Sequence, residues 1–326
     1  MYNLNLDICN LIASFVITSE YKLLEWIDKE KLLNCSELSQ NKNAVAFLKN
    51  NKDFINWAKL SLNQNAISLL KENEDKIDWT NISFNINAIS LIKRNLNKID
   101  WSSLSFNENA ISILEKNKDK IDWDMLSFNK NAISLLEANV DKINWFNLSL
   151  NMNSIHILKS HPDKINWNTL SLNRNAISLL EANQDKINWD NLCLNKGAFS
   201  ILNSNQDKIN WAILSLNKYA IPLLEANQDK IHWDNLCLNS NAIFLLEANI
   251  DKINWFYLSY NKNAIFLLKE NKNKIYIQNF CRNKNIFKLY HKDTSKFSSI
   301  LHKMFNASSS VNNINYNQQS TLSNKH

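Results

Sequence analysis

Ten tryptophans, Trp57, Trp79, Trp101, Trp123, Trp145, Trp167, Trp189, Trp211, Trp233 and Trp255, stand 22 residues apart without one insertion or deletion between them. Self-similarity at a fixed period of roughly 20 to 50 residues marks a stack of supersecondary units, none of which can bury its apolar face alone. At 326 residues the chain is long enough for two globular domains, but the repeat overrides that prior and predicts one continuous array.

Numbered from its Trp, the unit reads W-x-x-L-S-φ-N-x-N-A-I-x-L-L-E-x-N-x-D-K-I-[ND], with φ Leu, Phe or Tyr. Asn or Asp immediately before Trp, as in Asn56, Asp78 and Asn144, is the N-cap of a short helix A, with the preceding Ile and the Leu at position 4 placed as a hydrophobic staple. The same grammar returns at position 7, where Asn63, Asn85 and Asn107 are expected to cap a helix B of about ten residues whose Ala, Ile, Leu and Leu form one apolar face. The Trp is expected to lie in the core. The resulting fold class is all-α, an α-solenoid of about twelve two-helix units. The alternative is a leucine-rich-repeat-like α/β horseshoe, because W-x-x-L-x-L-x-x-N also fits that spacing, with Asn65 and its equivalents as an asparagine ladder. Against it, positions 10 and 13 would face solvent in a horseshoe, yet here they are almost always Ala and a large aliphatic.

Cys35 stands in the Trp place of a first unit and Ile277 in that of a last, degenerate one. The expected organisation is a helical N-terminal cap over 1–34, a solenoid over 35–298 with atypical end units, each having one face in water, and a disordered Asn- and Ser-rich tail over 299–326. With 1 Gly and 2 Pro in the whole chain, the turns fall to Asn, the side chain most tolerant of the left-handed region. Pro222 at position 12 would interrupt a helix B capped at Asn217, so in that unit the helix is expected to start near Ala220.

The 5 cysteines have no paired spacing, and Cys193, Cys237 and Cys281 take a place that is Ser in most units. They suit a small, partly buried position kept reduced in a cytoplasmic setting. The apolar run 8–17 is too short to span a membrane. No nucleophile and base combination stands out, one Gly cannot build a phosphate loop, and the histidines lack metal-ligand spacing. The reading is a non-enzymatic, monomeric protein-interaction scaffold with no cofactor, metal or small-molecule substrate.

Nucleic acid is disfavoured as a partner. The formal charge is +6, but residues from 271 onward contribute +8, leaving about −2 for 1–270, and phosphates demand positive charge. Function in a solenoid lies at its variable positions. Position 12 changes from Ser to Phe244 and Phe266, and positions 2 and 3 become Phe256 and Tyr257. These four form a candidate partner-binding patch.

Residues 4–16, LNLDICNLIASFV, precede the repeat. Leu4, Asp7, Ile8, Ile12 and Phe15 match in order the opening of an F-box, with Asn5 where that module has Pro. The match implies contact with the adaptor subunit of a cullin-type ubiquitin ligase. Plain capping of the solenoid is the other reading. The unit and the stretch YKLLEWI at 21–27 together resemble the tandem-repeat proteins of giant DNA viruses of amoebae, whose unit carries Pro at position 8, where this chain has none. The resemblance covers residues 4 to about 290 and implies interaction with host proteins.

Overall fold

The structure, a computed structural model, describes residues 19–291. They belong to two compact units. In the smaller one, β1 (Ser19–Leu23) pairs with β2 (Phe287–His291), and the Lys22 ammonium lies 4.1 Å from the centre of the Tyr290 ring.

The larger unit spans Leu23–Ile286 and is the repeat array. Each of the ten units that begin with Trp holds a helix A of four to six residues starting at that Trp, a helix B of similar length starting at position 11, and in most of them a short 3-10 turn over positions 18–20; the first unit has a 3-10 segment, Ser36–Gln40, in place of helix A. Helix A starts where expected: Asn56 Oδ1 accepts from the Lys59 backbone N–H at 3.0 Å, and Ile55 and Leu60 on either side of the cap are buried. The horseshoe is ruled out, since Trp211–Leu214 is helical where it would need a strand.

Helix B departs from expectation. Its first residue is Ile67, its N-cap is Ala66 with no side-chain cap bond, and it runs only to Lys71. Asn63 is not a helix cap. Its Oδ1 closes a local turn by accepting from Asn65 N at 3.0 Å, while its Nδ2 donates to the Ser39 and Asn41 carbonyls of the preceding unit, both at 3.0 Å. Asn65 Nδ2 likewise reaches back to Lys42 O at 3.0 Å. An asparagine ladder therefore exists, on helical units rather than on strands. Buried in the stack, an amide that bonds two carbonyls and one N–H satisfies groups that would otherwise be lost from water. Pro222 falls at the second residue of Ile221–Ala226, as harmless as expected, but because every helix B starts there.

The turns need no left-handed residue: among the described residues no φ is positive. Asn at position 17 instead ends helix B in an extended-side conformation, Asn73 at φ −142° and ψ 53°, with its Nδ2 donating to Leu69 O at 2.8 Å.

The array is closed. Asn41, in the first unit, donates to Cys281 O at 3.0 Å and Asn283 O at 3.1 Å, and Asn43 donates to Lys284 O at 3.0 Å. Inside the array these bonds join residues 24, 22 and 23 apart. Twelve units of 22 make 264, and 264 less 24, 22 and 23 gives the 240, 242 and 241 found at the closure. The first unit thus receives the last in the same register as every other pair. Consecutive A helices pack directly on one another along most of the ring, whereas consecutive B helices stand further apart. The A row is therefore the inner, concave wall.

Closure corrects the expectation of end units facing water, since each covers the other. Two boundaries also shift. Within the expected helical cap 1–34, residues 19–23 are a strand, followed by the short helix Lys29–Leu33. The repeat ends at Ile286, because β2 occupies the place of a twelfth helix B; its sequence FKLYH alternates and suits a strand. The tail 299–326 lies outside the described residues.

Candidate interaction surfaces

Leu at position 4, Ala at 10 and Leu at 14 form the core, as in Leu148, Ala132 and Leu136, all within 1 % of full burial. Position 5 is buried too, and its hydroxyl works as a relay. Ser61 Oγ donates to Trp57 O at 2.9 Å and accepts the backbone N–H of Asp78, the next unit's cap residue, at 3.1 Å. Cys193 and Cys237 keep the acceptor role toward Asn210 and Asn254, which explains why Cys alone replaces Ser. Burial raises both thiols, Cys237 to about 11, and raises Cys281 as well.

The tryptophans are not core. All ten are half-buried, and in nine units the Lys at position 20 of the same unit lies over the ring, as Lys142 does 4.8 Å from Trp123 and Lys252 4.5 Å from Trp233. At Trp145 a histidine, His161, takes that place at 5.1 Å. A helix only four to six residues long leaves its first side chain at the edge of the stack, where a cation can cover the ring's exposed face.

The aromatic patch read from the sequence divides into two. Phe256 and Tyr257 lie on helix A with their ring centres 5.3 Å apart, and Tyr260 and Tyr276 add to the cluster at 6.2 and 5.2 Å from Phe256. Phe244 and Phe266 project from successive B helices, and Phe266 is 67 % exposed. The four are thus shared between an A helix and two B helices. The F-box-like residues Leu4, Asp7, Ile8, Ile12 and Phe15 lie outside the described residues.

A wider apolar feature escaped the sequence reading. Position 6, at the end of helix A or within two residues beyond it, is Leu62, Phe84, Phe106, Phe128, Leu150, Leu172, Leu194, Leu216, Leu238 and Tyr260 in ten successive units. Each is half-buried or exposed, and Phe84, Phe106 and Phe128 touch edge to face at 5.9 and 6.2 Å. Because the A helices line the concave wall, these side chains make a belt around it. The signal was present in the sequence as the φ position. Its exposure could not be read there, because a Leu or Phe at every unit is what a core would also show.

The closing junction carries the ion-pair network of the ring. Glu37 bonds Arg282 Nε at 2.8 Å and pairs with Lys59. Burial alone would raise its carboxyl, but the hydrogen bonds from Lys59 and Arg282 hold it below the usual carboxylate range. Elsewhere among the described residues no group of three or more His, Cys, Asp or Glu could hold a metal. No helix there is long and apolar enough to cross a membrane. No protein-family model, curated protein or solved structure matches the chain.

Proposed function

We propose that this protein is a non-catalytic binding ring that holds a polypeptide partner against its concave wall. The observation that carries the reading is the belt at position 6. Ten neighbouring units leave a large aliphatic or aromatic side chain partly open to water, whereas monomeric soluble proteins rarely leave contiguous apolar surface of this kind without a partner. A closed ring presents that surface in one preorganised curve, which lowers the entropic cost of binding. The resemblance of the unit to viral repeat proteins supports a partner among host proteins, in the cytoplasm.

The test is affinity capture from host lysate with the wild type and with Phe106→Glu, Leu194→Glu and Leu238→Glu combined. The expected result is loss of a partner that Phe266→Ser, on a B helix, retains. A partner kept by the belt variant overturns the reading. Light scattering on both forms shows whether the belt instead joins two copies of the chain. The F-box-like order of Leu4, Asp7, Ile8, Ile12 and Phe15 supports a second reading, in which the ring is the substrate receptor of a cullin ligase. Binding of purified adaptor to the full chain, abolished by deleting residues 1–17, would support it, and no binding would dismiss it.

A further inference from the structure

The negative sum over residues 1–270 conceals a segregation of charge along the rim where helix A turns into helix B. Position 8 sits at the crest of that turn. In five successive units, 57–166, it is Gln64, Ile86, Glu108, Lys130 and Met152, a neutral stretch in which Lys130 pairs with Glu108 at 2.7 Å. In the other seven it is Arg174, Lys196, Lys218, Ser240, Lys262, Lys284 and Lys42. Lys42 belongs at the end of that series only because the ring closes and Asn43 bonds Lys284 O.

Five of these six cations are exposed and Lys218 is half-buried. None has an ion-pair partner among the described residues. Positions 6 to 9 of the seven units hold no Asp or Glu. Their acids stand at positions 2, 3, 15, 16 and 19, at the other end of the helices, as Asp190, Glu225 and Asp229 do. The arc therefore presents an unopposed positive field to anything that approaches this rim.

Apolar surface accompanies the charge. Beside the crest, position 11 is Ile177, Phe199, Ile221, Ile243 and Ile265, each half-buried or exposed. Lys218, Ile221, Ser240, Asn241, Ile243 and Asn263 line one depression between neighbouring units. The sole glycine of the sequence also lies in the arc. A Cβ at Gly197 would sit 3.0 Å from Arg174 O and 3.1 Å from the Ile177 side chain, so this position lets two turns approach closely.

We propose that this basic arc is a docking surface for an acidic protein segment whose carboxylates alternate with aliphatic side chains. Six of the seven units carry a cation at the crest, and an apolar side chain at position 11 follows three residues later. A strand in which acidic and apolar residues alternate supplies both complements, because its successive side chains serve different neighbours. A nucleic-acid backbone would meet the cations but offers nothing to the isoleucines, and the aromatics of the arc, Phe199, Tyr219 and Tyr260, stand at three different positions of the unit, where base stacking would need one recurring series. The crest cations stand two residues beyond the belt position, and their charge reversal leaves every belt side chain unchanged, so this proposal and the proposed function fail separately.

Fluorescence anisotropy of a dye-labelled peptide of repeated Glu-Leu-Glu-Ser, added to the full chain, tests it. The expected result is saturable binding that weakens with salt and falls at least about tenfold in the triple variant Lys196→Glu, Lys218→Glu, Lys262→Glu. These three side chains make no hydrogen bond within the ring, and Trp fluorescence and circular dichroism confirm that the variant is folded. The control triple, Lys93→Glu, Lys116→Glu, Lys159→Glu, changes three exposed lysines at the far ends of B helices and should leave the affinity within about twofold. Absence of peptide binding, or equal loss in both triples, overturns the proposal. So does tighter binding of an oligothymidylate or of phosphatidylserine vesicles that is lost in the same variant, since the arc would then serve a nucleic acid or a membrane.

Discussion

The junction between the unit starting at Trp145 and its predecessor, and the junction where the first unit meets the last, use the same three amide bonds. Asn151 donates to Ser127 O at 3.1 Å and Asn129 O at 3.0 Å, and Asn153 to Lys130 O at 2.9 Å; Asn41 and Asn43 repeat this against Cys281, Asn283 and Lys284. Around those bonds the two junctions differ. The interior one has the half-buried Trp145 and two further amide bonds to Asp124, from Asn147 to its carbonyl and from Asn144 to its carboxylate, both at 2.9 Å. The closing one has the buried Cys35, whose Sγ is 3.1 Å from Gln278 Oε1, and a Glu37 held between Arg282 and Lys59. It also draws on residues before the repeat, with Trp26 5.8 Å from Phe280 and Leu24 N bonded to Ile286 O at 2.9 Å. A donor bond from the position 7 Asn to the preceding unit is common to the junctions, while the Glu37 ion pairs and the buried Cys35 mark the closing one.

The largest test of that difference compares two deletions. Removing the interior unit 145–166 takes out one repeat but leaves the ends able to meet, whereas ending the chain at Lys274 takes away the surface that receives Cys35 and Asn41. The truncated form should melt roughly 10 °C below the interior deletion, taking about 5 kcal/mol for the lost junction and about 2 °C per kcal/mol for a domain of this size. In the truncated form Cys35 should also become open to alkylation at neutral pH. Equal melting points would mean that closure adds nothing to a linear stack.

Next come the core leucines. Leu38→Ala in the first unit and Leu148→Ala in the interior should each cost about 3–5 kcal/mol in chemical denaturation, since both side chains are fully buried. Trp145→Ala should cost about 2, less than either leucine, because that ring lies at the edge of the stack and is already partly open to water. A larger loss at Trp145 than at Leu148 would restore the tryptophans to the core.

Smaller again, Asn41→Ala and Asn151→Ala should each destabilise by about 2–3 kcal/mol, as two carbonyls and an N–H lose their partner. Matching values would establish that the closing ladder is as well formed as the interior one, and a negligible effect at Asn41 alone would break the equivalence. Least of all, Lys142→Ala should cost about 0.5 kcal/mol, the worth of an exposed cation over the Trp123 ring. An effect above about 1.5 kcal/mol would show that the lysines hold the units together rather than shield the rings.

How much of this was legible is uneven in an instructive way. The cap before Trp could be read because a cap is local: Asn144 needs only the N–H of Asn147, three residues on. Asn151 could not, because the same amide would cap a helix in one setting and rungs a ladder in another, and the carbonyls that decide lie 22 and 24 residues earlier. The exposure of Phe106 and Leu194 was not legible, since period alone does not tell a concave wall from an interior. The basic arc was invisible to a charge sum, in which Lys196 and Lys218 cancel Asp207 and Asp229 that sit at the opposite end of the helices. Phe244 and Phe256 looked like one patch because sequence distance does not say which helix row a side chain leaves from.

By itself the sequence determined the unit: its 22-residue period, the cap and start of helix A, the apolar positions 4, 10, 13 and 14, and thereby an all-helical stack. Only the tertiary structure decided that the stack closes. A full turn shared among twelve units is about 30° at each junction, an angle set by how much closer the A helices pack than the B helices. No single unit encodes that angle in a pattern that can be read. It becomes a ring only when repeated until Asn41 reaches the carbonyls of Cys281 and Asn283.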